Sequence, residues 1–250
     1  MRGPAWLTAR PIAHRGLHDA ARGIIENTAS AFAAAIADGY GIECDLQISA
    51  DGQAMVHHDA ALGRLTEGSA RLADLSAAEI GRARFKATAD RILTLAELCE
   101  LVAGRVPLVL ELKSRYDGDV GLVRAVADVV GPWSGLVAAM SFDPFLVEAL
   151  RLRAPDLTRG IVAERHYAHP DWAGLTASAK RRMAFLLHAP RTRPHFIAYS
   201  VKDLPALAPA VARTAFGLPV LAWTVRTETD RAIAARYADQ MIFEGFHPAR

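Results

Sequence analysis

The sequence predicts an α/β fold, a single TIM-like (β/α)8 barrel domain over residues 1–250. Three observations predict it. Short apolar segments alternate with Ala-rich amphipathic ones along the chain, and strand–helix alternation implies a parallel sheet. Eight or nine strand candidates in 250 residues favour a closed barrel over an open doubly wound sheet. No GxGxxG or P-loop follows any strand, which removes the usual reasons to prefer a nucleotide-binding fold.

The strand candidates are Pro11–His14, Gly41–Gln47, Ala54–His58, Val106–Leu112, Leu136–Phe142, Arg159–Ala163, His195–Ser200, Pro219–Val225 and Gln240–Glu244. Most are β-branched-rich runs bounded by turn signals, as expected of strands buried on both faces. Helices are expected between them. Asn27-Thr28 opens Ala29–Asp38, with Gly39 as its stop. Thr94–Val102 runs into Gly104 and Val120–Val130 into Gly131, and Phe145–Leu152, Leu204–Ala215 and Thr227–Tyr237 complete the set. Thr94 and Asp143, with Pro144 in the first turn, fit helix start signals.

One connection is unusual. Only Leu46 to Ala54 separates the second and third strands, with the hairpin signal Asp51-Gly52 in its middle. In a two-residue hairpin Asp45 faces His58 across the ladder; in a parallel barrel both lie near the upper ends of adjacent strands. The sequence leaves both geometries open. Residues 164–194, with Pro170, Pro190 and the cationic cluster Lys180, Arg181 and Arg182, read either as a solvated surface excursion or as a loop over or beside the site, or meeting a lipid surface.

Composition narrows the class. Hydrophobic residues make up 52% and charged residues 22%, ordinary for a globular enzyme. A net charge of +2 is too even to suggest nucleic acid or an anionic membrane as the main partner. Two cysteines, Cys44 and Cys99, imply no disulfide framework, and Cys44 reads as a small buried hydrophobe pointing away from its neighbours. The stretch Met1 to Arg10, with Arg2, Pro4 and Arg10, lacks the apolar core of a signal peptide, and no segment approaches the length of a bilayer span. A cytoplasmic protein without a transmembrane segment is the default expectation; nothing indicates an oligomeric state.

The chemistry concentrates in four segments at or near strand ends: His14-Arg15-Gly16, Glu43-Cys44-Asp45, His58-Asp59 and Glu111-Leu112-Lys113. Glu43 and Asp45, at i and i+2 on a strand, project from one face. Without a cation they repel and raise each other's pKa, and a hard divalent ion such as Mg²⁺ or Ca²⁺ removes that cost. Glu111 offers a third carboxylate and Lys113 shares its face. His14 and His58 can take and give a proton near neutral pH, whereas His57 has the opposite parity and reads as structural or surface. Arg15 can hold phosphate oxygens with its planar fork, and Gly16 lets the backbone turn close to a ligand. Trp223 and Phe142 near strand ends either pack against substrate or belong to the core. Glu26 and Asn27 read as supporting or capping residues rather than direct ligands.

The ordered series of segments resembles the glycerophosphodiester phosphodiesterase family from His14 to the C-terminus. The family's H-R-G, P-E-N-T, E-x-D, D-G turn and H-D correspond to His14-Arg15-Gly16, Ile25-Glu26-Asn27-Thr28, Glu43-Cys44-Asp45, Asp51-Gly52 and His58-Asp59. Its L-x-R-x-T, T-L-x-E, E-x-K, S-F and W-T-V-N correspond to Leu62–Thr66, Thr94–Glu97, Glu111–Lys113, Ser141-Phe142 and the start at Trp223-Thr224-Val225. The resemblance implies a TIM-like barrel, hydrolysis of glycerophosphodiesters to glycerol 3-phosphate and an alcohol, one divalent cation on Glu43, Asp45 and Glu111, an acid–base pair in His14 and His58, and phosphate contacts from Arg15 and Lys113. Four departures stand out: Ile25 for the family's proline, Arg226 for the last Asn of W-T-V-N, Phe243-Glu244 where T-D is usual, and a short stretch between His58 and Thr94 that excludes an inserted subdomain. None is expected to touch the metal or proton-transfer residues. Two other readings keep the same site: a lysophospholipase D-type activity on lysolipids, and a non-catalytic barrel that binds a small-molecule phosphodiester.

Overall fold

In the computed structural model, eight parallel strands close on themselves: β1 (Ile12–Ala13), β2 (Gly41–Ile48), β4 (Leu108–Leu112), β5 (Val137–Ser141), β6 (Thr158–Ala163), β7 (Phe196–Ser200), β8 (Val220–Val225) and β9 (Gln240–Phe243). The structure describes residues 3–169 and 172–249. Arg2 of the N-terminal stretch and Pro170 of the 164–194 excursion lie outside the described residues. Closure comes from the shortest strand, since β1 pairs with β2 on one side (Ile12 with Gly41) and with β9 on the other (Ile12 with Ile242).

The ninth strand, β3 (Ala54–Val56), is antiparallel to β2, so the Asp51-Gly52 signal marks a hairpin. Its loop holds five residues, 49–53, pinned by the Ser49 N–H donating to the Gln53 carbonyl at 3.0 Å. Gly52 takes φ +80°, a left-handed turn position that suits glycine. This loop length sets the register. Leu46 pairs with Val56, and the His57 N–H donates to the Asp45 carbonyl at 3.0 Å, so His57 rather than His58 lies opposite Asp45. The two-residue-hairpin expectation is corrected by one residue.

Alternation along the strands builds two cores. Inside the barrel, Ile12, Val109, Ala138, Met140, Val162 and Phe196 pack with Ala198, Leu221 and Ile242, and Leu7 from an N-terminal turn joins them. Outside, Ile42, Cys44, Leu46, Leu108, Leu110 and Leu112 meet the helices. The main helices are α1 (Ala29–Ala37), α3 (Leu95–Val102), α4 (Gly121–Val130), α5 (Pro144–Arg153), α8 (Leu207–Phe216) and α9 (Glu228–Tyr237). Capping fixes several starts: Thr94 with Glu97 and Thr227 with Asp230 form reciprocal boxes, and Asp143 accepts from the Phe145 N–H.

Three further helices go beyond those expected from sequence: α2 (Ala77–Arg82), α6 (Ala177–Ala184) and α7 (Ala189–Thr192). α2 and α7, of six and four residues, are too short for an apolar stripe to show, and α6 has none because it buries only Met183 and Ala184. The expected Leu204–Ala215 helix starts at Leu207, because Pro205 lacks an N–H and holds Leu204 extended, with ψ 140°. Among the described residues no helix is long and apolar enough to cross a membrane.

Gly160 on β6 shows how tightly the interior is filled: a Cβ there would meet the Phe196 ring at 2.3 Å, and Phe196 is fully buried. Gly160→Ala is therefore expected to destabilise the barrel by about 1–3 kcal/mol, read from urea unfolding midpoints. An unchanged midpoint would show that the interior has slack.

Candidate active site

Continuing the same alternation past the interior layer places one side chain after another at the C-terminal mouth of the barrel. His14 follows β1, Glu43 and Asp45 lie on β2, Glu111 lies next to the end of β4 with Lys113 just beyond the strand, Phe142 follows β5, Trp223 lies on β8, and Glu244 follows β9. The mouth thus has a polar half around β9, β1, β2 and β4 and an aromatic half around β5 and β8.

At the centre of the polar half, Glu43 and Asp45 are 1% exposed and Glu111 9%, with carboxylate oxygens within 4.8 Å of one another. Two side-chain cations hold this charge in place. The Lys113 ammonium lies 2.8 Å from Asp45 Oδ1 and 2.6 Å from Glu111 Oε1. Arg15 Nε sits 3.1 Å from Asp45 Oδ2, and its backbone N–H donates to Glu43 Oε2 at 3.0 Å. Asn27 adds a bond from its amide to Asp45 Oδ2 at 2.8 Å. Burial alone would raise the Asp45 carboxyl, but Lys113 and Arg15 outweigh it and hold it well below the usual carboxylate range. Glu43 goes the other way: burial, then Asp45 and Glu111, push it well above that range. Its Oε1 is buried and meets no hydrogen-bond partner among the described residues. An oxygen-only donor set with an orphaned carboxylate oxygen fits a hard divalent cation.

The H-R-G turn delivers Arg15 through backbone geometry. Arg15 and Gly16 adopt φ of +56° and +80°, and a Cβ on Gly16 would lie 2.9 Å from the Ala31 backbone. Only glycine fits that approach to α1.

A histidine stands on either flank, each with Nδ1 against a carboxylate. His14 Nδ1 is 2.5 Å from Glu244 Oε2, and its Nε2 is 3.9 Å from Glu43 Oε2. His58 Nδ1 is 2.8 Å from Asp59 Oδ1. Asp59 accepts from Arg64 Nε at 2.6 Å, Arg64 reaches Glu26 at 2.6 Å, and Glu26 accepts from Arg15 at 2.7 Å. An ion-pair chain therefore joins the His58 flank to Arg15. His57 is buried away from this line-up.

The expectation that the C-terminal departures avoid the proton-transfer residues is overturned. Glu244 bonds His14 directly, and Arg226 Nε donates to Glu244 Oε1 at 2.5 Å. The cause is barrel closure, which sets β9 beside β1 and brings together residues at opposite ends of the chain. The parity of Glu244, two residues beyond inward Ile242, was the available signal. Arg64 and Asp59 also went without a role, since charged loop residues reveal no partners in sequence. In the aromatic half, Phe142 meets Trp223 edge-on at 5.4 Å and Trp172 at 4.7 Å. Trp172 belongs to the 164–194 segment, which therefore reaches the mouth.

Active sites of TIM barrels lie at this C-terminal face, and the polar ring defines such an enzyme-type barrel. Residues 14–246 match the glycerophosphoryl diester phosphodiesterase family, and the chain belongs to it. It is 29% identical over 231 residues to the glycerophosphodiester phosphodiesterase of Caldanaerobacter subterraneus, covering 88% of this chain and 86% of the relative. The fold is similar to that of an Oleispira antarctica phosphodiesterase solved with the product sn-glycerol-3-phosphate (TM-score 0.75, 20% identity, 93% and 91% of the two chains). It is also similar to the glycerophosphodiester phosphodiesterase of Thermotoga maritima (TM-score 0.69, 23% identity, 93% and 92%).

A carboxyl whose folded-state pKa is raised contributes stability below its unfolded value and loses it as pH climbs through the folded one. Glu43→Gln removes that loss, so in chelator at neutral pH the variant is expected to be about 1–3 kcal/mol more stable than the parent. Thermal unfolding checks this; a less stable variant would mean that Arg15 already compensates Glu43.

Proposed function

We propose that the protein hydrolyses glycerophosphodiesters to glycerol 3-phosphate and an alcohol, using one divalent cation, Mg²⁺ or Ca²⁺, on Glu43, Asp45 and Glu111. The observation that carries this reading is the convergence of a buried oxygen-only cluster, two side-chain cations and two histidine–carboxylate pairs on one barrel mouth. The family membership and the product named for the Oleispira relative support the same chemistry. When bound, the cation supplies Lewis-acid polarisation of the phosphodiester.

The chain's own residues do the rest. Arg15 and Lys113 stabilise charge on the non-bridging oxygens as it develops. With Nδ1 of each histidine turned to a carboxylate, His14 and His58 act through Nε2, one removing the nucleophile's proton and the other protonating the leaving oxygen. The nucleophile is either water or the glycerol 2-hydroxyl. Trp223, with Phe142 and Trp172, gives the organic part of the substrate an apolar wall.

One observation favours the lysolipid reading of the same site. Phe185 and Leu187, on the segment that reaches the mouth, are 51% and 57% exposed beside exposed Arg181 and Arg182. A lysolipid substrate would use such a surface, and comparing turnover of a lysolipid with that of a water-soluble glycerophosphodiester separates the two.

His14→Ala and His58→Ala are each expected to lower turnover by about 10²–10⁴-fold with unchanged melting temperature. Near-parental rates in either variant would remove that histidine from the mechanism. Chelation should abolish glycerol 3-phosphate release, and Mg²⁺, Ca²⁺ or Mn²⁺ should restore it. Release that persists in chelator would refute the cation's role.

A further inference from the structure

Two of the chain's departures from its family meet each other in the structure. Arg226 Nε donates to Glu244 Oε1 at 2.5 Å, and the other oxygen of the same carboxylate lies 2.5 Å from His14 Nδ1 and 3.5 Å from His18 Nε2. The arrangement is anchored on its far side. The Arg226 N–H donates to Asp230 Oδ2 at 3.2 Å, and buried Asp230 caps α9 and pairs with Lys202 at 2.7 Å. The guanidinium therefore reaches Glu244 from a fixed helix start.

We infer that Glu244 is a positioning residue that fixes the proton of His14 on Nδ1, and that Arg226 acts on the reaction only by holding Glu244. The inference rests on the function proposed above for His14. An ionised carboxylate only accepts hydrogen bonds, so the nitrogen facing it must carry the proton. Nε2, 3.9 Å from Glu43 Oε2, is then left with its lone pair on the side of the carboxylate cluster, where the function proposed above would put the phosphodiester. Glu244 is ionised: burial would raise it, but His14, His18 and Arg226 hold it well below the usual carboxylate range. Glutamate, one methylene longer than the family's usual aspartate, reaches His14 and Arg226 at once. Arg226 is half exposed and is placed to steer the carboxylate rather than to touch the reaction.

The trio His14, His18 and Glu244 also brings ligand atoms within 4.8 Å, so a bound transition metal is the competing explanation. It predicts the opposite state of the ring, since a metal on Nδ1 displaces its proton.

Glu244→Gln replaces the acceptor with an amide that can donate, favouring the wrong tautomer. It is expected to cut kcat by about 10²–10⁴-fold with KM unchanged. Arg226→Ala should cause a smaller loss in kcat and no further loss in the Glu244→Gln background. ¹⁵N NMR of the His14 ring at about pH 8, where an ordinary imidazole is neutral, should show a protonated Nδ1 in the parent and in Arg226→Ala, and a protonated Nε2 in Glu244→Gln.

Any of four results would overturn the inference: an Nε2-protonated or metal-bound His14 in the parent, a Glu244→Gln kcat within about twofold of parental (less than half a kcal/mol), a loss confined to KM, or multiplying effects of the two substitutions. If the parent hydrolyses no glycerophosphodiester, the proposed function falls, and the NMR result alone still decides the role of Glu244.

Discussion

Three buried carboxylates converge at the mouth of this barrel, and most of the surrounding structure answers that constraint. Glu43, Asp45 and Glu111 are buried together where low dielectric magnifies their repulsion. Lys113 bridges Asp45 and Glu111, and Arg15 spans Asp45 and Glu43, with a guanidinium nitrogen on the first and its backbone N–H on the second. Delivering that arginine requires the left-handed backbone at Arg15 and Gly16, and the close approach to α1 follows from it. Glu43 keeps an oxygen that nothing in the chain satisfies among the described residues. The fold thus holds a charge imbalance that a divalent cation would complete.

Closure of the barrel determines what surrounds the cluster. Because β1 sits between β2 and β9, His14 has the acidic cluster on one side and Glu244 on the other. Because β3 turns back from β2 as a hairpin, His58 arrives from outside the ring, with Asp59 and Arg64 linking it through Glu26 to Arg15. The opposite wall carries Phe142, Trp223 and Trp172, with no charge of their own. A ligand with an anionic centre and an organic arm meets a matching division of the mouth.

Much of this was legible in sequence, and what was missed has physical causes. β-Branched-rich apolar runs bounded by turn signals placed the strands, and the i, i+2 spacing set Glu43 and Asp45 on one face with Cys44 pointing away; in the structure Cys44 lies in the core outside the barrel and the two carboxylates face the cluster. The capping residues Thr94 and Asp143 appeared where expected. The hairpin register failed by one residue because a D-G pair marks a turn without fixing its loop length. The Glu244–His14 contact depends on ring closure, which no local spacing encodes. The chain Arg15–Glu26–Arg64–Asp59 is set by loop paths, and charged loop residues do not advertise their partners.

The proposed phosphodiester chemistry requires a cation on Glu43, Asp45 and Glu111. Anomalous diffraction from crystals grown with Mn²⁺ tests it most directly, because it locates the ion independently of turnover. An anomalous peak bonded to oxygens of all three carboxylates is expected. A peak on His14, His18 and Glu244 instead, or none at saturating metal, would contradict it.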